Sequence, residues 1–521
     1  MRRLLGTFHA LALLTVLGLL AGCTVGPSLR PPVAVRGENL PAAPPRGSVE
    51  FPDVVPPPLQ PQDATIPFVD CTTDALAALG IPAPGLRVEC GELPVPVDPA
   101  RTDLGSVLLG VVRVSTASGP SDKPPLLALG DSVAGPTVAH AVELATRVSP
   151  ELLEQFTIIG LDRRGAGVDR LDCAPPDARA ALVDADPATT SEDDLAALLV
   201  QAREIVQDCT IKLSSALGGF GREATAVDVD LLRARLGVAT LSAVGVGDGA
   251  DALATWARAV PGSVGRLVLD GPSDPLAGEP AHTAARAASA AAAFDALALS
   301  CTVLGGCPLG PDPRAAVTTL MDTLRAQPLA APDGRRLTAG AATTAVLIAL
   351  SEPNSWPAVT AALAAARGGD PLPLLDLLDP VAGQGAAVEG LLATACNDSP
   401  ARLLPIEVGA AVTRLRGEHP LFGGTLALGL LACAPWPVKS AAAPTGPADE
   451  LPPLLVIGTA ADPRAPLEES RRVAGQLPTS RFVDWQGAGT GAYPRTACVT
   501  AAVDTLLIDG TVPATDTLCP P

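Results

Sequence analysis

Thr240-Leu241-Ser242-Ala243-Val244-Gly245-Val246-Gly247-Asp248-Gly249-Ala250 is the stretch whose reading decides the fold. Leu241 to Val246 is a short apolar run, as a buried strand requires, and Ala250 to Ala259 has the composition of the helix after it. Between them lies a turn packed with glycine. A strand, a sharp turn and a helix is the setting of the nucleophile elbow, G-x-S-x-G, whose strained backbone and close helix packing call for glycine. The middle position, where that motif holds serine, is Gly247. The same residues also fit a dinucleotide fingerprint, Gly245-x-Gly247-x-x-Ala250, with Asp270 as the ribose-binding acid after the next strand. A third reading is a turn that only lets a helix pack on a strand.

The start of the chain gives an address. Arg2 and Arg3 precede an apolar run from Leu11 to Leu20, followed by Leu20-Ala21-Gly22-Cys23. A basic start, a short apolar segment and a small-residue cleavage site make residues 1–22 a secretory signal peptide. Cysteine at that place resembles a bacterial lipobox, which implies lipidation of Cys23 and attachment to the outer face of the cell membrane. Residues 23–66, rich in proline around Pro56-Pro57-Pro58, read as an extended tether. The formal charge is −19, and more negative still without Arg2 and Arg3. Such a chain has no general attraction for nucleic acid. Scarce lysine with abundant Ala, Gly and Pro indicates a GC-rich, actinobacterial genome.

Ten cysteines follow Cys23: Cys71, Cys90, Cys173, Cys209, Cys301, Cys307, Cys396, Cys433, Cys498 and Cys519. An even number in an exported chain implies disulfides. They form no C-x-x-C pair and none has a histidine at ligand spacing, so neither a metal nor another cofactor is expected.

Strand-like runs at Leu93 to Val97, Ser106 to Val114, Leu126 to Leu129, Phe156 to Leu161 and Arg266 to Leu269 alternate with helical spacing, as at Ala226 to Leu236. This argues an α/β fold with a mainly parallel sheet. From about 276 to 450 the texture is helical, and strand character returns at Pro453 to Gly458. The expected organisation is a core at 67–275, a helical cap at 276–450 and the rest of the core at 451–521.

These pieces, in this order, resemble the secreted tripeptidyl aminopeptidase-like family of α/β-hydrolases. The resemblance rests on Asp162-Arg163-Arg164-Gly165-Ala166-Gly167, on Val264 to Pro275 (V-G-R-L-V-L-D-G-P-S-D-P), and on Gly458-Thr459-x-x-Asp462-Pro463-x-x-Pro466. It implies an α/β-hydrolase fold with a cap. It also implies the pairs Cys71–Cys90, Cys173–Cys209, Cys301–Cys307, Cys396–Cys433 and Cys498–Cys519, and it makes Asp270 part of the framework.

The resemblance further implies a triad, and here the chain departs from it. Asp462 stands in the acid position, Gly247 in the nucleophile position and Thr490 in the base position. A threonine hydroxyl is no base near neutral pH. The oxyanion loop reads Gly130-Asp131-Ser132-Val133-Ala134-Gly135-Pro136, with a carboxylate beside the place where negative charge would develop. His140, His282 and His419 lie in no matching motif and read as surface or core residues.

The expected protein is therefore non-catalytic, anchored to the membrane through Cys23, and binds a peptide or lipid ligand in the core–cap cleft or pairs with a protein partner. The alternatives are an active hydrolase with displaced groups, including a shifted elbow with Asp248 at its tip, and a dinucleotide-binding protein. Labelling by a fluorophosphonate probe is expected to return on combining Gly247→Ser with Thr490→His if Asp462 faces residue 490, with turnover still poor because of Asp131.

Overall fold

The computed structural model describes residues 55–521, apart from 84, 99, 100, 304, 380–387, 440–447 and 449. The expected signal peptide, the expected lipidation site Cys23 and the expected tether up to residue 54 lie outside the described residues. Among those described, no helix is long and apolar enough to cross a membrane.

Ten strands form one sheet: β1 (Val69–Asp70), β2 (Leu86–Pro96), β3 (Ser106–Thr116), β4 (Pro125–Leu129), β5 (Thr157–Leu161), β6 (Leu241–Val246), β7 (Val264–Asp270), β10 (Leu454–Ala461), β11 (Ser480–Ala488) and β12 (Thr517–Cys519). A separate hairpin, β8 (Leu329–Ala330) with β9 (Arg336–Leu337), belongs to the region between β7 and β10. The sheet order is β1-β2-β3-β5-β4-β6-β7-β10-β11-β12. From β5 to β12 every pairing is parallel, and β1, β2 and β3 add an antiparallel edge.

The central parallel strands are buried on both faces, so they read as near-continuous apolar runs. Their side chains still alternate. Leu127, Leu129, Ala243, Leu267 and Val456 pack one face against helices Arg222–Arg235, Asp248–Ala259 and Leu467–Gln476. Leu126, Ala128, Val244, Val268 and Ile457 pack the other against Thr137–Ala145 and Ala497–Asp504. β4 lies between β5 and β6, so the chain leaves β4 to one side and returns at β6 on the other. The crevice beyond the carboxyl ends of β4 and β6 is where such sheets bind ligands.

Between β7 and β10 the described chain is helical apart from the hairpin, beginning with the long helix Glu279–Val303. This layer meets the loops at the carboxyl ends of the strands. The Thr490 amide donates to the Ser351 carbonyl at 2.9 Å. Arg495 grips Glu352 through both guanidinium arms at 2.8 and 3.0 Å. Gly390 packs on Gly165, just beyond β5.

One boundary needs correction. The stretch read as tether up to residue 66 is bound to the core from Gln60 onward. Gln60 accepts from the Ala239 amide, the Asp63 amide donates to the Leu236 carbonyl, and Ile66 is buried. Proline-rich composition marked the extended backbone but not these backbone contacts.

Five disulfides join Cys71 to Cys90, Cys173 to Cys209, Cys301 to Cys307, Cys396 to Cys433 and Cys498 to Cys519. These are the pairs that the resemblance implied. Bridges of this number persist in an oxidising, extracytoplasmic compartment. Thiol labelling of the unfolded but unreduced mature protein should therefore find no free cysteine among these ten; labelling at any of them would refute the pairing.

Candidate functional site

β6 and the helix Asp248–Ala259 meet at Gly247, whose backbone has φ 57° and ψ −124°. That is the strained conformation of an elbow tip, and glycine adopts it without cost. The Gly247 amide donates to the Asp270 carbonyl at 2.9 Å, which ties the tip to β7. Gly249 is required for a second reason: a Cβ there would press against the backbone of Leu129 and Gly130. The tip is thus residue 247, and Asp248 begins the helix, contrary to the shifted elbow.

The space above the tip is filled. A Cβ on Gly247 would overlap the Asp131 carboxylate and stand 2.9 Å from its Cγ. Asp131, on the loop after β4, is buried. Its Oδ1 accepts from the Val133 amide at 2.9 Å and its Oδ2 accepts from Arg464 Nε at 2.9 Å. The sequence placed Asp131 beside the oxyanion site; the structure places it at the nucleophile's own position. The expectation that Gly247→Ser with Thr490→His suffices is corrected accordingly, because a side chain at 247 collides with a carboxylate pinned by Arg464.

The loop amides are also engaged. Asp248 accepts from the Ser132 amide at 2.9 Å and from the Ser132 hydroxyl, and Arg163 Nη1 stands 3.2 Å from it. An amide that donates inward to a carboxylate is not offered to a developing oxyanion.

Asp462 and Thr490 come together across the ends of β10 and β11. Thr490 Oγ1 donates to Asp462 Oδ1 at 2.7 Å, and the amides of Arg464 and Ala465 donate to the same oxygen at 2.8 and 3.2 Å. Burial pushes the Asp462 carboxyl up to about 6, against these hydrogen bonds. Asp270 is fully buried, accepts from the Tyr493 amide at 2.9 Å, and is raised by burial to about 7. Sealed in this way it offers nothing to a ribose, and the Asp131 carboxylate lies where the glycine turn would have to meet a phosphate. The dinucleotide reading has no support in this geometry.

The arginine pair of the Asp162-Arg163-Arg164 motif is framework. Arg164 binds Asp228 through Nε and Nη2 at 2.6 and 2.8 Å, both side chains buried, and locks the loop after β5 to the helix Arg222–Arg235. Of the histidines, half-buried His140 packs against Gly130 with its Nε2 enclosed, and desolvation lowers it to about 4. His419 caps the helix Pro405–Glu418. His282 was read as surface or core, yet its Nδ1 is 2.9 Å from Oε2 of the buried Glu469. Arg464, Arg286 and the His282–Glu469 pair were all missed. Arg464 was visible as a cation two residues after Asp462, within the Gly458 to Pro466 motif; the others carry no local signal.

Buried carboxyls give the protein a pH signature. Burial raises Asp162, Asp398 and Asp462 to about 6 and Asp251 and Asp270 to about 7. Each holds a proton that the unfolded chain has lost above about pH 4. Their contribution is complete below that pH and is lost as pH rises through 6 to 7. Asp274 and Glu352 are lowered despite burial, by Arg472 and Arg495 in turn, and their contribution fails only as pH falls toward 4 and below. Thermal unfolding should therefore show a higher Tm at pH 5 than at pH 8. Asp270→Asn, which keeps an acceptor for Tyr493, should reduce the difference. A Tm that rises from pH 5 to 8 would contradict this.

Comparison with known proteins agrees with the architecture. A family model described as TAP-like protein matches residues 419–519. The serine protease Hip1 of Mycobacterium tuberculosis is 29% identical over 458 residues, covering 82% of this chain and 87% of that protein. Carboxylesterase B of the same species is 28% identical, covering 83% and 86%. The tripeptidyl aminopeptidase of Streptomyces lividans is 27% identical over 493 residues, covering 88% and 87%. The chain has an α/β-hydrolase fold and is similar in sequence to these actinobacterial proteins, a tripeptidyl aminopeptidase among them.

Proposed function

We propose that this is an exported, lipid-anchored protein of α/β-hydrolase fold that binds a ligand between core and cap without hydrolysing it at the elbow. The observation that carries the reading is the Asp131 carboxylate standing over Gly247, held by Arg464. A nucleophile is activated by a base and the base is oriented by an acid. Of that set the acid remains, facing a threonine. The crevice is still lined by partly exposed polar groups: Asp248 at 28%, Arg464 at 22% and His282 at 21% side-chain exposure. Retaining such groups around a tip without a nucleophile favours binding over catalysis. Cys23 would supply the membrane attachment.

A second reading has its own support. His282 gives Nδ1 to a buried carboxylate, the arrangement that orients a general base. An active hydrolase with displaced groups would use it.

Turnover of p-nitrophenyl esters and tripeptidyl p-nitroanilides separates the two. The expected result is no rate above background. Turnover that disappears in His282→Gln would establish the second reading instead.

A further inference from the structure

The helix Glu279–Val303 opens the cap and carries His282 and Arg286 one turn apart. His282 has its acid. Among the described residues Arg286 has none: it makes no hydrogen bond or ion pair, and its Nε is buried without a partner. The charges that act on it are Arg464, Glu279, Asp131 and Glu469, which places it beside the elbow crevice. Burial, and next the like charge of Arg464, pull its guanidinium down to about 10.

This is an expensive arrangement for a folded protein. A half-buried guanidinium whose Nε is enclosed without a partner loses part of its hydration and receives little in return, and replacing it by an apolar side chain should cost little stability. Two arginines drawn together at one crevice are further strained by their repulsion. Arg464 relieves its share by holding Asp131 over the tip. Arg286 holds nothing.

We propose that Arg286 and Arg464 recognise a carboxylate on the ligand of this crevice. The inference rests on the binding role proposed above and names the chemistry that the crevice selects. Arginine offers a planar fork of donors that matches a carboxylate with two parallel hydrogen bonds. A singly charged carboxylate placed against Arg286 supplies the missing partner. Asp131, already a carboxylate on Arg464, shows what size of group the crevice accepts beside the tip. Asp131, Glu279 and Glu469 add negative field nearby, so a doubly charged phosphate is disfavoured where a carboxylate is accepted. The carboxylate comes from a peptide C-terminus or from a fatty acid, and the two sources share this recognition.

The test is calorimetric titration of the mature protein with matched pairs: an N-acetyl tripeptide acid and its C-terminal amide, octanoate and octanol, with inorganic phosphate as the control anion. At least one acid is expected to bind at least ~10-fold more tightly than its neutral counterpart, a difference of about 1.4 kcal/mol. Which pair shows the preference identifies the source. Arg286→Gln should erase the preference. Arg286→Met should erase it too while leaving Tm unchanged or raised, a combination that a merely structural arginine would not give. Asp131→Asn, which removes a competing charge, should tighten acid binding. Equal binding of acid and neutral forms, no binding of either pair, tighter binding of phosphate, or a preference that survives Arg286→Gln would each overturn the proposal. The reading of the elbow as non-catalytic is judged separately, by turnover, so failure of one is distinguishable from failure of the other.

Discussion

Gly247→Ser, Asp131→Gly and Thr490→His combined should restore covalent labelling by a fluorophosphonate, while Gly247→Ser with Thr490→His alone should not. The difference is the Asp131 carboxylate. With Asp131 in place, a Cβ at 247 has no room. With it removed, an imidazole at 490 is already placed against Asp462, since the threonine there donates to that carboxylate at 2.7 Å. Nucleophile and base act as a unit, and in a model protease loss of either costs on the order of 10⁶ in kcat. Each single reversion should therefore be silent. Turnover by the triple variant should still be poor, because Asp248 keeps the Ser132 amide. A missing oxyanion donor costs roughly 10² to 10³. Asp248→Ala added to the triple variant should then raise the rate. If the double variant labels as well as the triple, Asp131 does not block the tip and the geometry described for it is wrong.

The second large effect concerns stability. Asp228→Ala should cost about 3–5 kcal/mol, the range for breaking a buried ion pair by removing one partner. Arg164 and Asp228 side chains are each only 2% exposed, and the arginine also donates to the carbonyls of Val97 and Gly219. Without Asp228 a buried guanidinium is left unpaired between the loop after β5 and the helix before the elbow. Replacing both partners with apolar side chains should cost much less than either alone, because no charge is left buried. Denaturant unfolding of the two single variants and the double gives the coupling. Additive losses would mean that the pair does not act as one unit.

Much of the fold was legible in the sequence for reasons these residues show. Leu126 to Leu129 is apolar throughout, and Leu241 to Val246 is so apart from Ser242, because both faces of the parallel strands are covered. The glycines around residue 247 announced the sharp turn because few other residues take its backbone. Pairing of the cysteines followed from the resemblance, and the geometry agrees. The contents of the crevice were not legible. Asp131 and Arg464 are 333 positions apart, and their hydrogen bond holds the carboxylate over the tip. Asp248 and Ser132 likewise meet across 116 positions. Local pattern has no access to such meetings, whereas the loss of serine and histidine needed only the motif. The anchored part of the tether was hidden for a similar reason: Asp63 and Thr65 bond through their amides, and backbone contacts leave no mark on side-chain composition.

The most direct test of the central claim is intact-mass spectrometry of the wild-type protein after prolonged incubation with a fluorophosphonate, with the triple variant alongside. The account predicts no adduct on the wild type and one on the triple variant, at position 247. A stoichiometric adduct on any serine or threonine of the wild type would contradict it.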